Sequence, residues 1–272
     1  MQPSEIYRIC TDELGDFVKG AGFADVVIGL SGGIDSSVVA VMAADALGTE
    51  HVHGVLLPGP YSSEHSIADA EELSRRLGIE ARTLSICEPY ESFARVLAPA
   101  CGGELAGLAA ENTQARCRMV CLMALSNAYG WMMLNTGNKS ESMTGYSTLY
   151  GDTAGAFAPM GGIYKTDVFA IARWLDERAQ ERGEVAPIPE NVLVKPPSAE
   201  LSAGQSDEES LGVDYATLDA ILIEHIERER SVDEIVREGF AREVVESVVS
   251  RAASYAFKRA LEPPYPSARF YA

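Results

Sequence analysis

The chain has 272 residues, 47% of them hydrophobic, enough to bury one full-sized core. Its net charge of -18 argues against a nucleic-acid partner, because gripping a phosphate backbone needs a concentrated basic face; a nucleotide held by a few local cations stays open. The longest apolar runs, at 26–30 and 131–134, fall far short of the roughly 20 residues of a membrane helix, and the acidic N-terminus is unlike a secretory signal, so a cytoplasmic location with no membrane partner is expected.

Taken in order, Ile6, Ile9, Leu14, Phe17 and Val18 make an apolar stripe at helical spacing over residues 4–19, stopped by Gly20 and Gly22. Residues 25–30 are short, β-branched and apolar, the pattern of a buried parallel strand. A glycine-containing turn at 31–34 then opens a helix over 35–47, ended by Gly48. Further strands are expected at 51–57, 79–86 and 131–135, with helices at 63–77, 90–98 and 112–129 between them. That alternation predicts an α/β fold, a doubly wound parallel sheet with helices on both faces, in a single domain spanning 1–272. Ligands in such sheets bind beyond the carboxyl ends of the strands, where the loops at Ser31, Pro58, Cys87 and Thr136 should cluster.

Beyond a Gly- and Thr-rich stretch at 136–162, a helix is expected at 165–182, followed by a Pro-rich connector at 186–197. The polar, acidic stretch 198–214 reads as a mobile loop or lid. Helices close the chain near 215–228, 232–238 and 242–261. The five cysteines (Cys10, Cys87, Cys101, Cys117 and Cys121) contain no Cys-x-x-Cys pair, so neither a disulfide framework nor a zinc ribbon is indicated. Lysine is scarce, and four of the five lysines, Lys139, Lys165, Lys195 and Lys258, fall in or beside segments that chemistry singles out independently.

The first such segment is Gly29-Leu30-Ser31-Gly32-Gly33-Ile34-Asp35-Ser36. Two glycines let the backbone turn sharply and bring amide N–H groups up to an anion, and the start of the next helix adds free N–H groups and its positive dipole end. Ser31 and Ser36 can donate to phosphate oxygens, and Asp35 can hold the Mg2+ that bridges them. On composition alone a plain strand-to-helix turn, with the serines as caps, also fits. The loop is neither a Walker loop nor G-x-G-x-x-G. It resembles the Ser-Gly-Gly-x-Asp-Ser signature of the N-type ATP pyrophosphatases, which implies an adenine nucleotide alpha hydrolase-like fold and cleavage of ATP between the α and β phosphates.

The second segment runs from Asn135 to Glu141 and on through Thr144 to Asp152. Following a strand, it belongs at the same edge of the sheet. Thr136 offers a hydroxyl, Glu141 a second oxygen ligand for Mg2+, and Asp152 a carboxylate near the reaction centre, although taken singly both acids also fit ordinary capping and turn roles. Lys165 stands at a helix start, where a cation opposes the dipole and an anionic ligand would account for it.

With Gln114-Ala115-Arg116-Cys117-Arg118-Met119 upstream, and Pro197-Ser198-Ala199-Glu200-Leu201, Asp207-Glu208 and Leu211 to Tyr215 downstream, these stretches look like NAD synthetase over nearly the whole chain. The resemblance implies attack of the nicotinate carboxylate of deamido-NAD on the α-phosphate of ATP, then displacement of AMP by ammonia to give NAD. Carried over by motif, Gly29, Leu30, Ser31, Gly32, Gly33, Ile34, Asp35, Ser36, Thr136, Lys165 and Ser198 contact ATP, and Asp35 and Glu141 hold Mg2+. Arg116, Phe257 and Lys258 contact deamido-NAD, while Asp152 and Lys165 serve catalysis, Asp152 at the ammonia site. The sequence departs from some relatives at Asn138, Leu149 and Ala156. Family members are homodimers, so a homodimer is expected. The stretch before Asp35 has no room for the nitrilase-like glutaminase domain of glutamine-using members, which makes free ammonia the expected donor unless a separate amidotransferase supplies it. Two rival readings are another PP-loop enzyme adenylating a different substrate and a nonenzymatic nucleotide-binding module.

Overall fold

A computed structural model describes residues 1–271. In chain order the elements are α1 Pro3–Gly20, β1 Val26–Gly29, α2 Ile34–Leu47, β2 Val52–Leu56, α3 Glu64–Leu77, β3 Glu80–Thr83, α4 Cys87–Leu97, α5 Gly107–Tyr129 and β4 Met132–Met133. They continue with α6 Lys139–Thr144, α7 Lys165–Glu181, α8 Glu190–Val194, α9 Asp207–Leu211, α10 Tyr215–Leu222, α11 Val232–Arg237 and α12 Arg242–Ser254. The four strands form one parallel sheet in the order β3-β2-β1-β4, with Val26 of β1 opposite both Val52 and Met132.

The two-residue period of a strand sends alternate side chains to opposite faces. Val26 and Ile28 join a core with α1, α2 and α7, through Leu14, Val38, Met42 and Ile171, whereas Val27 packs with Val55, Met133 and Leu122 of α5 on the other face. Helices therefore cover both faces, as the doubly wound pattern requires. The central helix α2 is buried over Ser36–Ala43, consistent with its unbroken run of small and β-branched residues. A third apolar cluster joins α10, α11 and α12 to Tyr164 and Leu211. No helix among the described residues is long and apolar enough to cross a membrane.

All four expected strands are present, with β4 shorter than the expected 131–135: the Leu134 N–H still donates to the Val27 carbonyl of β1, and beyond Met133 the chain bridges Phe157, whose carbonyl accepts the Asn135 N–H. The helix expected at 215–228 passes into a π turn after Leu222, and that expected at 242–261 breaks at Tyr255 into a 3-10 turn. Three short helices, α6, α8 and α9, were not foreseen. The last lies within the expected mobile loop at 198–214: residues 198–206 carry no regular helix, but Asp207–Leu211 is helical with both end residues buried.

Candidate active site

At the end of β1 the Leu30 N–H still donates to the Val55 carbonyl at 2.9 Å, after which the chain turns. Gly32 takes a φ of +73°, and a side chain there would drive its Cβ to 2.1 Å from the Ser66 carbonyl of α3, so only glycine fits. The Ser31 and Ser36 hydroxyls lie 3.0 Å apart, and the Gly33 N–H donates to Ser31 Oγ. Gly33 caps α2 without any side-chain bond, leaving the first N–H groups of a 14-residue helix for an anion.

Lys165, only 2% exposed, reaches the same place from the first turn of α7. Its Nζ donates to Asp35 Oδ2 at 2.5 Å and to Glu141 Oε1 at 3.4 Å, joining α2, α6 and α7. Asn138 organises the two acids: its Nδ2 donates to Asp35 Oδ1, while its Oδ1 caps α6 by accepting the Glu141 N–H. Burial alone would push the Lys165 ammonium toward neutrality, but the charges of Asp35 and Glu141 outweigh it and hold the lysine protonated well above its ordinary range. Burial likewise pushes the Glu141 carboxyl up to about 8, against the pull of Lys165. Asp207, bonded to the Tyr146 and Tyr215 hydroxyls, adds its charge to both.

The start of α7 is held by a second acid. Asp219 accepts the Thr166 N–H at 2.8 Å and the Ser140 hydroxyl at 2.5 Å, and Ser140 Oγ in turn accepts the Lys165 N–H. A buried carboxylate at the N-terminus offsets the dipole penalty of the neighbouring cation.

Asp152 lies on a separate loop. Its Oδ1 accepts the Thr148 N–H at 2.5 Å, and Asn135 Nδ2 donates to the Asp152 and Ala154 carbonyls. Burial pushes its carboxyl up to about 6, opposed by the Thr148 bond and by the charges of Lys258 and Arg118. A carboxyl at that level can take a proton at neutral pH.

A cavity of about 800 Å³ takes in Thr136, Glu141, Asp152, Lys165, Ser198 and the phosphate loop apart from Gly32, which faces α3 instead. The Ser198 hydroxyl donates to the Gln205 carbonyl within its own loop. Arg116, Phe257 and Lys258 do not line the cavity. Arg116 is exposed with Nε on the Leu149 carbonyl, Lys258 Nζ donates to the Gly145 and Ser147 carbonyls, and Phe257 is 60% exposed. Arg116 and Lys258 thus converge on the backbone of residues 145–149. Sequence reasoning missed Asn138 as a hub and Asp219 as an anchor. The first was legible as an Asn-x-x-Glu cap-to-N3 spacing, whereas the second lies 53 residues from its partner and leaves no local signal.

Residues 6–262 match the profile described as NAD synthase. The glutamine-dependent NAD(+) synthetase of Thermotoga maritima is 47% identical over 259 residues, covering 95% of this chain and 44% of that protein, so the chain spans a little under half the length of the curated relatives it matches. Among solved structures, the NMN synthetase of Francisella tularensis superposes with a TM-score of 0.78 at 30% identity, covering 95% of this chain and 96% of that one. The NH3-dependent NAD synthetase of Campylobacter jejuni superposes at 0.74 with 28% identity and the same coverages, 95% and 96%. With a match that runs from α1 past α12 and takes in every element of the cavity, the chain belongs to the NAD synthase family.

Proposed function

We propose that this chain amidates the nicotinate carboxylate of deamido-NAD with ammonia, converting ATP to AMP and pyrophosphate. The carrying observation is the meeting, in one cavity, of a loop shaped for phosphate, the Asp35–Lys165–Glu141 cluster and a further acid, Asp152. A carboxylate oxygen attacks the α-phosphorus, forming the acyl-adenylate bond as the bond to the β-phosphate oxygen breaks. The loop amides and Lys165 face the charge that gathers on the departing pyrophosphate. Ammonia then attacks the acyl carbon, the bond to AMP breaks, and Asp152 accepts the proton that the nitrogen must lose.

The donor set fits Mg2+. Asp35 and Glu141, both on Lys165, offer hard carboxylate oxygens, with Asp207 close enough for its charge to be felt. Mg2+ beside phosphates needs only one or two protein carboxylates, here Asp35 and Glu141. When bound, it would neutralise developing phosphate charge.

End-to-end similarity to a protein named NH3-dependent supports ammonia as donor, while the relatives named glutamine-dependent make glutamine the comparison. A second reading has a smaller acid substrate, nicotinic acid mononucleotide, supported by the equally complete match to an NMN synthetase and by the position of Arg116 and Phe257 outside the cavity. Homodimerisation, expected from the family resemblance, is supported by unburied apolar side chains on the two packed helices α4 and α5. Val96 is 75%, Leu108 74% and Val120 57% exposed, and Arg116 shares the exposed stripe of α5 with Val120. A second chain over this face would reach Arg116.

Purified chain with ATP, Mg2+, ammonium and deamido-NAD should yield NAD and AMP in equal amounts, with glutamine and nicotinic acid mononucleotide poorer. ATP consumption without NAD would defeat the substrate assignment. Asp35→Ala and Glu141→Ala should each slow adenylation by at least ~100-fold with the fold intact, and near-wild-type rates in either would remove the metal role.

At a fixed concentration of free ammonia, the amidation rate should fall about tenfold per pH unit below pH 6, where Asp152 is protonated, and level off above it. Asp152→Asn should be slow and lack that limb; a wild-type profile that is flat between pH 5 and 7 would take the proton-accepting role from Asp152. For assembly, light scattering should give twice the 29.2 kDa chain mass, and Leu108→Glu with Val120→Glu should halve it. A monomeric wild type would rule out the dimer.

A further inference from the structure

Arg118 is a cation set into the cavity wall with no acid to balance it. Its Nε donates to the Leu57 carbonyl at 3.0 Å, at the end of β2, which fixes the side chain and leaves both terminal nitrogens for another partner. Among the described residues no carboxylate forms an ion pair with it. Glu200 and Asp152 are close enough for their charges to be felt. The Glu200 carboxylate, however, is spent on the Ser63 N–H and on the Ser63 and Ser66 hydroxyls, while Asp152 Oδ1 is held by Thr148. Burial weakens the hold of Arg118 on its proton relative to an ordinary arginine, a cost that a bound anion would offset.

One turn earlier on α5, Gln114 is fully buried. Its Nε2 donates to the Leu201 carbonyl at 2.9 Å, but its Oε1 has no hydrogen-bond partner. Both groups pack against the bare backbone of Gly59, where a Cβ would stand 2.9 Å from Arg118 Nη2 and 3.3 Å from Gln114 Oε1. Around Arg118 the cavity wall is apolar, formed by Leu57, Met119, Leu122 and Met133. The phosphate loop already supplies donors for a triphosphate, so a lone planar fork in an apolar wall matches a different anion, one flat and attached to an aromatic ring.

We propose that Arg118 is the positioning residue for the carboxylate that is to be amidated. It holds one oxygen of the acid and leaves the other free to reach the α-phosphorus, while the buried Gln114 Oε1 accepts from the outer edge of the guanidinium. This assignment rests on the function proposed above. It carries a consequence for turnover: amidation removes the negative charge that Arg118 holds, so the product is released where the substrate is retained.

Equilibrium binding of deamido-NAD and NAD to the whole chain tests it. The wild type should bind the acid at least ~10-fold more tightly than the amide, and Arg118→Gln should bring the ratio to within about twofold while leaving the KM for ATP unchanged. Arg118→Lys, which keeps the charge, should recover part of the preference. Gln114→Glu, the same shape with a carboxylate beside Arg118, should weaken the acid and spare the amide, and it decides the matter if Arg118→Gln fails to fold. An acid-to-amide ratio unchanged in Arg118→Gln or in Gln114→Glu overturns the assignment. If the wild type still makes NAD, only Arg118 loses its role; if the wild type binds neither dinucleotide, the substrate reading falls and this assignment falls with it.

Discussion

The ammonium of Lys165 is where the site is tied together. Asp35 stands at the start of α2, Glu141 in α6 and Lys165 at the start of α7, and a single buried cation bonds to both acids. Removing one partner from such a buried cluster strands the others, at a cost of about 3–5 kcal/mol. The position of the two proposed metal-holding acids relative to the phosphate loop therefore depends on this one side chain. Its place at a helix N-terminus, unfavourable on local grounds, becomes reasonable once Asp219 accepts the Thr166 N–H and the Ser140 hydroxyl beneath it. The chain thus binds α6, α7 and α10 together to bring one cation to a phosphate loop built on a different helix.

The rest of the cavity follows a division of charge. Its loop end concentrates N–H donors, a lysine and three acids, an arrangement suited to a polyphosphate with its divalent ion. Its other side is apolar, with Arg118 as a cation and Asp152 as an acid whose raised pKa comes from the same burial. Between them lies room for an acid that begins anionic and ends neutral. The loop carrying Asp152 is held from outside the cavity, by Lys258 on the Gly145 and Ser147 carbonyls and by Arg116 on that of Leu149. Two residues expected to touch the dinucleotide thereby also support the backbone that leads to the second acid.

Much of this was legible in the sequence because it is local. Hydrophobic runs bounded by glycine located all four strands. The turn at Ser31 to Ser36 announced its geometry through two glycines, one of which, Gly32, adopts the left-handed conformation. Thr136, Glu141, Asp152 and Lys165 do share its cavity. What stayed hidden depends on contacts across long stretches of chain. Asp219 looks like an ordinary helical acid until it meets Thr166, and Glu200 reads as loop polarity until it is found on Ser63 and Ser66. The bridge from Leu134 to Phe157 could not be read either, because no periodicity in 131–135 reveals its partner. Arg116 and Phe257, expected on the ligand by resemblance, are exposed in the folded chain.

The central claim is that the Lys165 cluster and the phosphate loop form a site that adenylates a carboxylate. Isotope exchange between labelled pyrophosphate and ATP, measured in the absence of any nitrogen donor, isolates that step. Exchange should require Mg2+ and deamido-NAD together and should vanish in Asp35→Ala. Exchange that proceeds without deamido-NAD, or none at all while NAD is still formed once ammonium is added, would contradict an acyl-adenylate made at this site.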